Sequence, residues 1–149
     1  WAKVSLREES AAVPLIISVP GKQPGVCHSL TELLDLYPTV ARLCGLEIPR
    51  GIQGKDISRM LDDPQHAVRD TAFSVAPSSQ GFLLREDKWA FMQYREDGSG
   101  GHELFDMEKD PKQYTNLAAS PGHRATLEAF KAKLAAKLRA VRTNDLGRN

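Results

Sequence analysis

Few residues in this chain have the type and spacing to do chemistry, and each has a plain structural alternative. Lys3 is a compact point charge suited to an anion, yet by position alone it reads as a surface lysine near a chain end. His102 follows Gly100-Gly101 and precedes a strand-like run. An imidazole on a loop can hydrogen-bond a ligand; in a Gly-rich hairpin it more often simply faces water. Asp106, Glu108 and Asp110 alternate and could gather round a cation. Asp110 precedes Pro111, however, and an Asp-Pro step starts turns. His28, His66 and His123 are isolated, without metal-ligand spacing, so no metal ligand set is read from this chain. Cys27 and Cys44 are too few for a disulfide framework or, alone, a structural zinc site. They read as small buried hydrophobes.

The elements that must position these groups follow from periodicity. Residues 13–19 are apolar and β-branched and stop at Pro20-Gly21, which predicts a strand buried on both faces. Ser29 and Glu32 have capping-box spacing. Leu30, Leu33, Leu34, Tyr37, Val40, Ala41 and Cys44 then recur at helical spacing, predicting an apolar helix face closed by Gly45. Pro38 inside that run predicts a kink or two short helices. Thr71–Val75, Phe82–Leu84, Lys88–Tyr94 and His102–Met107 read as an antiparallel meander with a turn at Asp97-Gly98-Ser99-Gly100-Gly101. Ser120-Pro121 opens a last helix whose apolar stripe is Leu127, Phe130, Leu134, Leu138 and Val141. The fold class is therefore α/β running into α+β. Residues 1–70 form the first part, and residues 71–149 an antiparallel subdomain with a long terminal helix.

Composition narrows the function. The chain has 149 residues, about one domain; 41% are hydrophobic and 26% charged, which excludes disordered and fibrous classes. No apolar run approaches the roughly 20 residues that span a bilayer. A net charge of +1 gives no bias toward nucleic acid. Residues 121–149 hold seven basic residues against Glu128 and Asp145, a balance of +5 that leaves the rest at −4. Docking of a polyanion is one reading; the solvated face of an amphipathic helix is the simpler one. A start at Trp1, with no charged segment leading into an apolar one, reads as a piece of a longer protein rather than a signal peptide.

Four phrases, in order, resemble the C-terminal part of sulfatases of the alkaline-phosphatase-like superfamily. Lys3 stands eleven residues before Pro14 of Val13-Pro14-Leu15-Ile16-Ile17. Asp35-Leu36-Tyr37-Pro38-Thr39 and Gln53-Gly54-Lys55-Asp56 follow. Glu103-Leu104-Phe105-Asp106 then leads to Asp110-Pro111-Lys112-Gln113 and Asn116-Leu117-Ala118. The tone is nearest to iduronate-2-sulfatase-like members. The resemblance implies the last strand and helix of a sulfatase α/β core, followed by the small antiparallel subdomain. It implies a parent enzyme that hydrolyses sulfate esters of carbohydrates or other sulfated small molecules, and export to the periplasm or beyond. The nucleophile would be a formylglycine made from a Cys or Ser, and calcium would help neutralise the sulfate. Neither cysteine here has the nucleophile motif around it, so both would come from an N-terminal catalytic part. The 149 residues alone are expected to be inactive and to hold no cofactor. Lys3 matches the lysine that contacts the substrate sulfate, and His102 would help bind the sugar. Two departures stand out: Ala12 replaces an Arg, and Arg7 stands where Tyr or His is usual, which suggests a new partner for Glu8 or Glu9. A phosphomonoester or phosphonate hydrolase of the same superfamily is an alternative. So is a non-catalytic binding or structural module.

Overall fold

A computed structural model describes residues 5–76 and 80–142. The chain divides into two packed units: Trp1–Leu15 with Thr71–Ala140, and Ile16–Asp70 with Val141–Asn149. One break falls between Asp70 and Thr71, and the described residues up to Leu15 belong to the unit that holds Thr71–Ala140.

The first unit is built on strands β1 (Ala72–Val75), β2 (Gly81–Arg85), β3 (Trp89–Tyr94) and β4 (His102–Asp106), in antiparallel order β1-β2-β3-β4. Their pairing puts Phe73, Leu84, Phe91 and Leu104 in one row across the sheet. On that face lies α3 (Arg124–Arg142), which buries Leu127, Phe130, Leu134 and Leu138. The stripe steps by three and four, so one side of the helix meets the row. Each such large apolar chain, fully buried, contributes about 1.5–3 kcal/mol. Val141, the last expected member of the stripe, is half-buried.

Alternation sends the intervening residues to the other face. There Leu83, Ala90, Met92, Phe105 and Met107 cluster with Leu6 from the N-terminal arm. A strand between two covered faces should be apolar throughout, and β3 is buried from Ala90 to Gln93. The arm continues into α1, the single turn Glu8–Ala11.

In the second unit a 3₁₀ turn, Leu33–Asp35, runs into α2 (Leu36–Leu43). Pro38 is the third residue of α2, inside the first turn, where its missing N–H costs no intrahelical bond. The helix ends in a Schellman motif: Gly45 has φ of 70°, its N–H donates to Arg42 O, and the Leu46 N–H donates to Ala41 O. The capping box lies three residues later than expected. It joins Glu32 and Asp35, while the Ser29 hydroxyl donates to His66 O at 2.8 Å.

Three expectations need correction here. Residues 13–19 form no strand, and Ile16 is 89% exposed. A strand exists only where a neighbouring strand takes up its N–H and C=O groups, and the run pairs with none of the four described strands; Val19 O instead accepts the Lys22 N–H in a local turn. Nor is the apolar face of α2 buried. Pro38, Thr39 and Ala41 are inside, whereas Leu33, Tyr37 and Val40 are exposed. Cys44 is exposed and Cys27 half-buried, so neither is a core residue.

Candidate functional site

The arm leading to Lys3 is fixed where it crosses the sheet. Lys3 itself lies outside the described residues. Four residues on, Arg7 spreads its guanidinium between two acceptors: Nη1 donates to Gln113 O at 2.6 Å and Nη2 to Glu103 Oε1 at 2.8 Å. Its carbon sits 4.6 Å from the centre of the Phe105 ring. Glu103 is also held from the other side, because the Tyr94 hydroxyl donates to its Oε2 at 3.1 Å. Burial and the neighbouring Glu103 push the Tyr94 phenol pKa up, so it stays protonated and donating.

Gln113 completes the arrangement. It is 3% exposed, its φ is 59°, and its Oε1 accepts the Glu8 N–H at 2.8 Å. Its Nε2 is buried without a partner. The Glu8 carboxylate, 3.2 Å from Arg85 Nε, is paired independently of Arg7. The expected partner of Arg7 was Glu8 or Glu9; among the described residues the one found is Glu103. Sequence reasoning noticed Arg7 only as a departure and missed Gln113, Glu103 and Tyr94. The usable signal was the departure at Arg7.

His102 is elsewhere. It pairs with Gln93 across β3 and β4, on the face covered by α3, whereas Glu103 and the arm share the opposite face. The Gln93 amide N donates to Glu96 O at 2.8 Å, leaving its Oε1, 3.2 Å away, to accept from His102 Nε2. The His102 ring stacks on Phe91 at 5.9 Å. Burial, with Lys131 nearby, lowers its pKa and favours the neutral ring. The arm and His102 are therefore not brought together.

The three alternating carboxylates also stay apart. Asp106 Oδ1 accepts the Glu108 and Lys109 N–H groups, Glu108 pairs with Lys88 at 2.9 Å, and Asp110 Oδ2 accepts the Thr115 N–H at 2.7 Å. The backbone N–H groups of Thr115 and Tyr114 hold the Asp110 carboxyl below the usual range. These are turn-building contacts. Among the described residues no cluster of three or more His, Cys, Asp or Glu could hold a metal, so these residues do not fit a calcium site. On α3, Lys131 pairs with Glu128 and Lys133 with Glu86. Lys133 and Lys137 lie over the rings of Phe130 and Phe73.

In the second unit, Asp35 is the most heavily bonded side chain. It is fully buried and accepts the N–H groups of Glu32 and Lys55, each at 2.8 Å. Arg69 Nη2 donates to its Oδ1 at 2.6 Å and Arg69 Nη1 to its Oδ2. Burial alone would raise the Asp35 pKa, but these donors outweigh it and hold the carboxyl below its ordinary value. Gly54 approaches closely beside it: a Cβ there would lie 2.0 Å from Leu34 O.

These local arrangements give physical reasons for the phrases that resemble sulfatases. A family model, N-sulphoglucosamine sulphohydrolase, C-terminal, matches residues 1–141. The chain belongs to this sulfatase family. A choline-sulfatase of Rhizobium meliloti is 35% identical over 91% of this chain and 28% of its own length. A solved structure named as a 2-O GAG sulfatase is 26% identical with a TM-score of 0.61, over 72% of this chain and 24% of that one. A phosphonate monoester hydrolase of Silicibacter pomeroyi has a TM-score of 0.69 at 23% identity, over 86% of this chain and 29% of that one, and shares the fold. The chain spans about a quarter of the length of the curated relatives it matches. The antiparallel sheet with its packed helix is thus the C-terminal region of the sulfatase fold. No helix among the described residues is long and apolar enough to cross a membrane.

Proposed function

We propose that the whole protein hydrolyses sulfate esters of carbohydrates and that Lys3 contacts the substrate sulfate. The observation that carries this reading is the family match over residues 1–141, together with the spacing of Lys3 from Pro14. A sulfate monoester is anionic, and charge builds on its bridging oxygen as the S–O bond breaks. A fixed ammonium stabilises that charge more in the transition state than in the ground state. The carbohydrate assignment draws on the glycosaminoglycan sulfatase relative; the finer iduronate-2-sulfatase-like assignment is part of the same proposal. His102, on the sheet face opposite the arm, is proposed as a contact for the sugar in the whole protein. The formylglycine nucleophile and the calcium ligands are proposed to lie in an N-terminal catalytic part. That part is the partner we propose for exposed Leu33 of the 3₁₀ turn and for Tyr37 and Val40 of α2.

The test is a substrate panel on the full-length protein: sulfated sugars, choline sulfate, an aryl sulfate, a phosphate monoester and a phosphonate monoester. Fastest turnover is expected on a sulfated sugar, falling about a hundredfold or more in Lys3→Ala. Preference for the phosphonate would move the protein to the alternative hydrolase class. Binding of sulfated glycans without turnover of any ester would make it a binding module.

A further inference from the structure

We propose that Arg7, Glu103 and Gln113 form a latch that positions the arm carrying Lys3 for the substrate anion. This inference rests on the sulfate-contact reading of Lys3. Four residues of chain reach at most about 14 Å, so whatever fixes Arg7 restricts where the Lys3 ammonium can go. Arg7 is fixed in direction as well as place. Its planar fork is shared between the Gln113 carbonyl and the Glu103 carboxylate, above the Phe105 ring, a geometry that a lysine cannot reproduce. The next residue is held by its backbone, because the Glu8 N–H donates to Gln113 Oε1. The preceding residue, Leu6, is buried in the sheet's second cluster. Three consecutive residues are thereby tied down by three different kinds of contact.

Simple stabilisation is the weaker account of this cluster. The side chains of Arg7 and Glu103 remain 34% and 20% exposed, and ion pairs open to water add little to folding. Gln113 meanwhile sits at positive φ and leaves its Nε2 buried without a partner. Both features cost free energy, and both persist where its Oε1 and carbonyl meet the arm. Local strain held in place by surrounding contacts is characteristic of positioning devices.

The experiment measures kcat and KM for the best sulfate ester of the panel with the full-length protein and its Arg7→Ala, Arg7→Lys, Lys3→Ala and Lys3→Ala/Arg7→Ala variants. Arg7→Ala is expected to lower kcat roughly ten- to a hundredfold with little change in KM, since small misplacements of a charge cost that much. Arg7→Lys should not restore it, and the exchange Arg7→Glu/Glu103→Arg should restore part. In the Lys3→Ala background, removing Arg7 should cost less than about twofold, because the group it positions is gone. A second readout, amide exchange in the full-length protein, should show the Glu8 N–H exchanging about tenfold faster in Gln113→Leu, with α3 unchanged. Equal losses from Arg7→Ala in both backgrounds, no loss at all, or unchanged exchange at Glu8 would overturn the latch while leaving Lys3 in its role. Near-normal turnover in Lys3→Ala would instead remove the sulfate-contact reading, and the latch's purpose with it.

Discussion

The buried Asp35 carboxylate offers the most exacting test of how the second unit is held. In Asp35→Asn the side chain keeps its size but loses its charge and one acceptor oxygen. Arg69, whose side chain is only 7% exposed, then has Glu32, 3.7 Å away, as its carboxylate partner among the described residues. Of the two backbone donors, Glu32 N–H and Lys55 N–H, one is left without its acceptor. Breaking one side of a buried ion pair costs about 3–5 kcal/mol, and the orphaned N–H belongs within that range rather than on top of it. Divided by RT, this corresponds to roughly 150- to 5,000-fold faster amide exchange along α2 if the helix opens with this site. Native-state exchange followed by NMR reads it directly. The decisive quantity is the coupling: Arg69→Met alone strands the carboxylate, but the double variant Asp35→Asn/Arg69→Met buries neither charge of the pair. It should therefore be less destabilised than the sum of the single variants by at least ~1 kcal/mol. The pH dependence has a defined sign. The Asp35 carboxyl is held below its ordinary value, so its stabilisation is complete above the unfolded value of about 3.9 and is lost as pH falls through the lower folded value. Asp35→Asn should lack that part of the acid limb. Additive single effects, or an Asp35→Asn cost below ~1 kcal/mol, would refute this account.

Two further substitutions test the packing. Leu134→Ala, at a fully buried position under the Phe91 row, should cost about 2–5 kcal/mol in urea denaturation followed by Trp89 fluorescence; a cost below ~1 kcal/mol would mean α3 is not seated as described. Gly54→Ala would put a methyl 2.0 Å from Leu34 O and 3.2 Å from Pro38 Cγ, so backbone must move. Exchange of the Lys55 N–H should accelerate, whereas an unchanged rate would show that the loop has room to give.

Legibility in the sequence followed the range of the forces involved. The meander could be read because each strand is a short apolar or β-forming run bounded by turn residues, and the Gly-rich turn between Tyr94 and His102 brings β3 and β4 together within a few residues. Helix α3 could be read because its stripe is local. The 13–19 run failed for the opposite reason. Its apolar character records what it could pack against, while a strand also requires a neighbour's hydrogen bonds, which its own residues do not supply. In α2 the periodicity found the helix and misjudged its buried face. Polar partners decided that face: the Thr39 hydroxyl donates to Asp35 O and accepts the Ile57 N–H, and Asp35 meets Arg69, 34 residues away. Pairings at that separation leave no periodic trace.

The same contrast separates the two parts of the candidate site. Lys3 was reached through resemblance alone, since one lysine near a chain end has no local signature of function. Of the residues that hold its arm, Arg7 alone was read as an exception, standing in place of Tyr or His, and that exception has no meaning by itself. At a separation of 106 residues, the Arg7 fork meets the Gln113 backbone carbonyl, and the Glu8 N–H meets the Gln113 side-chain oxygen. These contacts identify Arg7 and Gln113 as the residues to vary together.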